Sequence, residues 1–396
     1  MLRELNVGFI HLLGQSEGRT ATEAIAGLTN LERLELHNMA ELGCLGPLAR
    51  LRELQLDMCK ISDAALLEVA KHTALQRLSL NECIHLSSTC LVALTALSAL
   101  QELSLGAFRY QPHLALEALG SLRSLRSLSF VRTSYDAEQL QHLSLLSALQ
   151  HVSFKDEHSS HTLEKLEALL LARPSLQALR FPFFYEVAHL STLAGFVGLT
   201  RLELCASRFV NMPAATGEEL RRLAPLTDLR HLSIRRYPNL VHWDFVTFLT
   251  GLTSLSVVGR TYEPRTRSDD KLIPAVPVSA RAAGLLSSLP RLECLELEQP
   301  LLDVTPLSRL AALTRLHVAG VRDKGLAALG RMHRLRHLEL SEPAFRQVDV
   351  HRCLSALVCL TRLDMRGAGV PLRQVRQLVP CLPQLQGCTV DGETIF

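Results

Sequence analysis

Aromatic residues are scarce: Phe, Tyr and Trp together make up 5% of 396 residues, with a single tryptophan. An ordinary core of this size leans on aromatics, so leucine must carry the burial here. Charge of one sign is also lacking. Net charge is only +3, which excludes a polycationic tail built for nucleic acid. The ten cysteines are scattered, with no Cys-x-x-Cys pair, and no Asn-x-Ser/Thr sequon occurs. A disulfide scaffold is therefore excluded, and reduced thiols in a cytoplasmic or nuclear setting are expected. No long hydrophobic run is present. The longest uncharged stretch, 83–101, contains five Ser/Thr residues and a histidine, so no membrane span is expected. Glu4 interrupts the opening residues, which do not read as a secretory leader. Phosphate-binding glycine loops, nucleophile elbows and His-Glu-x-x-His are missing as well.

What the chain does have is one phrase, Leu-x-x-Leu-x-Leu, repeated along its length. Clear copies are Leu31/Leu34/Leu36, Leu51/Leu54/Leu56, Leu75/Leu78/Leu80 and Leu100/Leu103/Leu105; degenerate ones include Leu149/Val152/Phe154 and Leu360/Leu363/Met365. Sixteen starts are read, at 2, 31, 51, 75, 100, 125, 149, 176, 199, 229, 252, 292, 313, 335, 360 and 385. The last two leucines of the phrase alternate, as a short strand requires. One such strand cannot bury its leucines alone, whereas stacked copies form a parallel sheet with a continuous core behind it. The residues between strands read as short helices and turns. Ser62 is an N-cap candidate before an apolar-periodic run, and Thr216-Gly-Glu-Glu219 has capping-box spacing.

This pattern resembles the leucine-rich repeat proteins over essentially all 396 residues. The resemblance implies an α/β solenoid or horseshoe: a parallel concave sheet of about 16 short strands, with short helices and turns on the convex side. One domain, 1–396, is expected, with an insertion at 261–279 inside the copy that starts at 252. The copy at Leu51, with Cys59 in ninth place, is similar to the cysteine-containing repeats of F-box substrate receptors, and Cys83 repeats the feature. Leu302-Asp-Val-Thr-Pro306-Leu resembles the shorter 22-residue repeats, and Val321-Arg-Asp-Lys-Gly-Leu resembles helical-backed ones. Family members often carry asparagine in ninth place. Here that column reads Met39, Cys59, Cys83, Phe108 and onward without one, so the turns must be satisfied by other groups.

The fold hosts many binding roles and says little about which one applies. Catalysis is not expected, and neither is a cofactor or a metal. The best metal-like cluster, Asp156-Glu157-His158 with His161 and His151, reads rather as a polar turn leading into a helix at Thr162. Within the repeat frame, positions two, three, five, seven and eight point to the concave face. Charged residues there number six acids against three bases in copies two to five, eight bases against two acids in copies six to ten, and six acids against four bases in copies eleven to fifteen. The expected partner site is therefore the basic centre: Arg132, Lys155, Arg180, Phe183, Arg201, Arg235, Arg236 and Tyr237. Arginine beside aromatic residues is a usual interface anchor. Alternatively, Arg and Glu neighbours neutralise each other across strands. The function expected is a protein-interaction scaffold or assembly subunit that binds an acidic partner. The other readings are the substrate-recognition subunit of a multi-chain ligase or other enzyme complex, and a nucleic-acid-associated protein.

Overall fold

The structure is a computed structural model, and it describes residues 2–7, 24–39, 45–87, 90–106, 116–132, 135–155, 162–183, 187–206, 217–235, 240–258, 276–301, 303–342, 349–367 and 370–395. The chain divides into two compact units, Met1–Pro182 and Phe183–Phe396. Each is an array of leucine-rich repeats.

The first unit stacks β1 (Glu4–Val7), β2 (Arg33–His37), β3 (Glu53–Asp57), β4 (Arg77–Asn81), β5 (Glu102–Gly106), β6 (Ser127–Val131), β7 (His151–Phe154) and β8 (Ala178–Phe183). Each pairs in parallel with the next. The second unit stacks β9 (Arg201–Ala206), β10 (His231–Arg235), β11 (Ser254–Val258), β12 (Cys294–Pro300), β13 (Arg315–Ala319), β14 (His337–Ser341), β15 (Arg362–Arg366) and β16 (Gly387–Val390) in the same way. Every one of these strands begins two residues after a predicted copy start. The sequence reading leaves the edge of the last strand open; the structure instead folds β17 (Glu393–Thr394) back antiparallel onto β16. The turn is Asp391-Gly392, both at positive φ, the pairing that suits a tight hairpin.

Register is held by a recurring double bond. The carbonyl of the second residue of a copy accepts N–H from the second and third residues of the next. Glu32 O takes Arg52 and Glu53, Arg52 O takes Gln76 and Arg77, and Thr314 O takes Arg336 and His337. The leucines at positions one, four and six are buried almost completely, as at Leu31, Leu34 and Leu36, each contributing about 1.5–3 kcal/mol of burial. Phe130, Phe154 and Phe181 take position six in β6–β8 and stack behind the sheet at 5.1 and 5.4 Å between ring centroids.

The strands end in one repeated way. The eighth residue is left-handed at Asn38, Met58, Glu82, Arg132, Gly320, Glu342, Gly367 and Gly392. This turn aims the residue's N–H at the next copy: Met58 N donates to Asn81 O at 2.8 Å and Gly320 N to Ser341 O at 3.0 Å. At Gly320 an added Cβ would meet Pro300 Cβ at 2.7 Å. The ninth residue does the work of the missing asparagine through sulfur. Cys59 Sγ donates to Leu36 O at 3.5 Å, and Cys83 Sγ to Leu56 O at 3.2 Å.

Ser62 caps the helix Asp63–Val69, its Oγ accepting from Ala65 N at 3.3 Å. Thr216, the first residue of the expected capping box, lies outside the described residues. Gly217, at φ 92°, precedes a tight 3-10 turn over Glu218–Leu223 with no side-chain cap. Within the 261–279 insertion, Val278 bridges to Leu301 and Ser279 caps the helix Ala280–Leu286; residues 261–275 lie outside the described residues. Among the described residues no helix is long and apolar enough to cross a membrane.

Candidate partner-binding face

Positions three, five and seven stand on one face of the sheet, and the burial pattern alternates accordingly along strands such as β2, β4, β10 and β14, although Asp364 on β15 is buried. Parallel register aligns them into rows across neighbouring strands.

In the first unit the third-position row reads Glu4, Arg33, Glu53, Arg77, Glu102. Its charges alternate and pair. Arg77 Nη1 lies 2.6 Å from Glu53 and its Nε 3.1 Å from Glu102. Arg33 Nε lies 3.6 Å from Glu53, and the same guanidinium bonds Glu35. Glu102 and Glu53 hold the Arg77 guanidinium more firmly protonated than usual. Beside this row, Asp57 accepts from Ser79 Oγ at 3.2 Å and Asn81 Nδ2 at 3.1 Å. Position five then becomes serine in four successive strands: Ser79, Ser104, Ser129 and Ser153. The short side chains leave a shallow trough of about 250 Å³, walled by Glu53, Arg77 and Glu102. Across β2–β5, then, neighbours do neutralise each other.

The last three strands of this unit differ. Arg126, His151 and Lys155 are exposed and Arg180 is half-buried. Among the described residues of this face, β6–β8 carry no carboxylate. Arg132 is compensated: its Nη1 lies 3.0 Å from Glu82, fifty residues earlier and also in eighth position. Phe183 ends β8, and only its backbone is described.

In the second unit Arg201 sits 3.8 Å from Glu203, and Arg235 is half-buried on β10. Arg236 and Tyr237 lie outside the described residues. Trp243, the single tryptophan, is a core residue. It is 1% exposed, stacks on Phe245 at 6.1 Å, and donates Nε1–H to Leu240 O at 3.3 Å. His151 stands on β7, but the rest of the metal-like cluster, 156–161, lies outside the described residues. No group of three or more potential ligands comes together among the described residues.

The second unit also holds a knot that charge counting misses. The fifth-position row reads Ser256, Glu296, His317, Glu339, Asp364. Ser256 Oγ donates to Glu296 at 2.6 Å. His317 Nδ1 lies 3.6 Å from Glu296, its Nε2 is 2.9 Å from Ser341 Oγ, and Arg366 bridges Glu339 at 3.2 Å and Asp364 at 3.1 Å. Burial pulls His317 down, but the bond to Glu296 and the charges of Glu339, Glu296 and Glu298 outweigh it and hold the imidazole above its ordinary value. The same bond, with help from Ser256 and Arg235, holds Glu296 below its own. Ser341, His317 and Glu296 stand in the order of nucleophile, base and orienting acid. However, the strand amides around them are committed to the parallel ladder, and Glu339 lies 3.9 Å from the nitrogen that would serve the serine. A developing oxyanion would meet a carboxylate there rather than donors. The signal for this knot was readable as Glu, His, Glu, Asp at one position in consecutive copies.

One row toward the strand start, position three reads Cys294, Arg315, His337, Arg362, Gly387. Arg336 adjoins it.

No family model matches the chain, and no curated protein matches it. Among solved structures, it is similar to a leucine-rich repeat protein of Leptospira interrogans at 15% identity, covering 99% of this chain and all of that one, with a TM-score of 0.44. An internalin of Listeria monocytogenes is 19% identical over 86% of this chain and 81% of that one, TM-score 0.42. The functional domain of InlJ from the same organism, described as including a cysteine ladder, is 15% identical over 86% and 68%, TM-score 0.42.

Proposed function

We propose that this chain is a non-catalytic protein-interaction scaffold or assembly subunit whose sheet face docks an acidic segment of a protein partner. One observation carries the reading. On β6–β8, Arg126, Lys155 and Arg180 stand over an aromatic-backed sheet with no carboxylate among the described residues of that face. Across β2–β5 the third-position charges are spent on each other. A cationic surface without carboxylates of its own gives electrostatic complementarity and fast encounter with an acidic partner. The free thiols among the described cysteines support a reducing, cytoplasmic or nuclear setting.

The test compares native-source complexes of the wild type with those of Lys155→Glu/Arg180→Glu, each checked for folding by thermal unfolding. The expected result is a stable partner that is lost from the variant and released by salt. A partner equally held by a folded variant and indifferent to salt would remove this face from the function.

A further inference from the structure

The region of copies eleven to fifteen counts as acidic by composition, yet its uncommitted charge is positive. Three of its acids are engaged, while Glu293 and Glu342 are exposed and outside any ion pair among the described residues. Glu296 bonds Ser256 and faces His317, and Arg366 holds both Glu339 and Asp364. The bases one row away are not. Arg315, Arg336 and Arg362 are exposed, and none of them makes an ion pair or side-chain hydrogen bond among the described residues. Register places Arg315, His337 and Arg362 in one row on β13, β14 and β15. The row is bounded by neutral groups on both sides, the Cys294 thiol on β12 and Gly387 on β16. An added Cβ at Gly387 would meet nothing within 4 Å. Arg315 and Arg362 are not opposite one another, because His337 stands between them, so a ligand meets two guanidinium groups spaced two strands apart.

His337 reports the local potential. Burial lowers its proton affinity first, and Arg315, Arg362 and Arg336 lower it further, with no carboxylate acting against them. Glu293, next to Cys294, makes no ion pair with Arg315.

We propose that Arg315, Arg336 and Arg362 form a second docking surface, which takes an extended acidic peptide segment of a partner protein. The two outer arginines are two strand spacings apart, about 10 Å. Carboxylates at alternate positions of an extended peptide are separated by about 7 Å, within reach of flexible guanidinium side chains. The neighbouring row of Glu296, Glu339 and Asp364 argues against a continuous polyanion, since a phosphate backbone lying across the face would meet those carboxylates. A peptide with acids along one edge and neutral or basic residues along the other fits both rows. This surface is distinct from Lys155 and Arg180, and the two are tested separately.

The probe is a fluorescein-labelled peptide of six Glu-Ala repeats, titrated by anisotropy against the full chain at low salt. The variants are Arg315→Ala/Arg362→Ala, and Lys155→Glu/Arg180→Glu. With the first, affinity is expected to fall about tenfold, the scale of losing a few charge-assisted contacts. With the second, a peptide-binding component of wild-type strength should remain. In wild type, the peptide should raise the proton affinity of His337 followed by NMR. Failure of the wild type to bind, or unchanged affinity in a folded Arg315→Ala/Arg362→Ala variant, overturns the proposal. If binding is lost only with Lys155→Glu/Arg180→Glu, the second surface falls and the first stands. Tighter binding of a twelve-nucleotide single-stranded DNA at the same arginines would overturn the choice of a peptide.

Discussion

Asn38, Met58, Glu82, Arg132 and Glu342 hold a backbone conformation that disfavours an L-residue by roughly 1–2 kcal/mol. Gly320 and Gly367 fill the same place without that strain. Met58 is 45% exposed, so its side chain contributes little packing. Met58→Gly should therefore raise stability by about 0.5–1 kcal/mol after the entropy cost of glycine, read from urea denaturation; a loss of stability would mean that the turn is not strained. The ninth residue gives a second residue-scale expectation. Burial pushes the Cys59 thiol up to about 11, and Cys388 likewise. Both should resist alkylation near pH 8 until the chain unfolds, whereas exposed Cys381 labels in the native state. Peptide mapping after iodoacetamide treatment separates these classes. The lack of asparagine in that column, and the cysteines at 59 and 83, were visible in the sequence; the bonds of those thiols were not, because a donor's partner depends on where an earlier copy's carbonyl lies.

At the scale of elements, strand placement was legible because leucine spacing and strand pleat share one period. The caps were half legible. Ser62 caps as its sequence suggests; after Thr216, outside the described residues, the left-handed Gly217 leads into a tight turn. Ser62→Ala should cost about 1 kcal/mol in thermal or urea unfolding. The Glu296–His317 pair has a pH signature. With its proton affinity raised, His317 stabilises the fold fully below its ordinary value of 6.5, and that contribution fades as pH rises through the raised value. Glu296, held low, contributes above its ordinary 4.5 and loses this as pH falls through its lowered value. The pair is thus strongest between pH 4.5 and 6.5. Wild type should lose its advantage over His317→Gln as pH climbs above neutrality. His337 and His231 are shifted the other way, so the difference between the two proteins is the measurement that decides. A difference constant with pH would dismiss the pair as a titrating unit.

For the whole molecule, composition located a basic stretch but not its free charge. Summing residues by copy cannot tell Arg132, tied to Glu82, from Lys155, which makes no ion pair among the described residues. Nor can it tell Arg366, locked between two acids, from Arg315 and Arg362, which are open. Only register makes that distinction, by setting residues far apart in the chain side by side. Arg77 provides the contrasting case. Its two ion pairs are exposed, so Arg77→Ala should change stability by no more than about 1 kcal/mol and leave acidic-peptide binding intact. A marked loss of binding would place recognition in the trough instead.

The antiparallel β17 sets a direction on how such a protein can lengthen. Parallel repeats grow by laying a new strand beside the last one, but the outer side of β16 at Thr389 and Val390 is already taken by Glu393 and Thr394. A repeat laid beside β16 would have to displace that hairpin first. Between existing strands, by contrast, each copy already offers the same second-position carbonyl to the next.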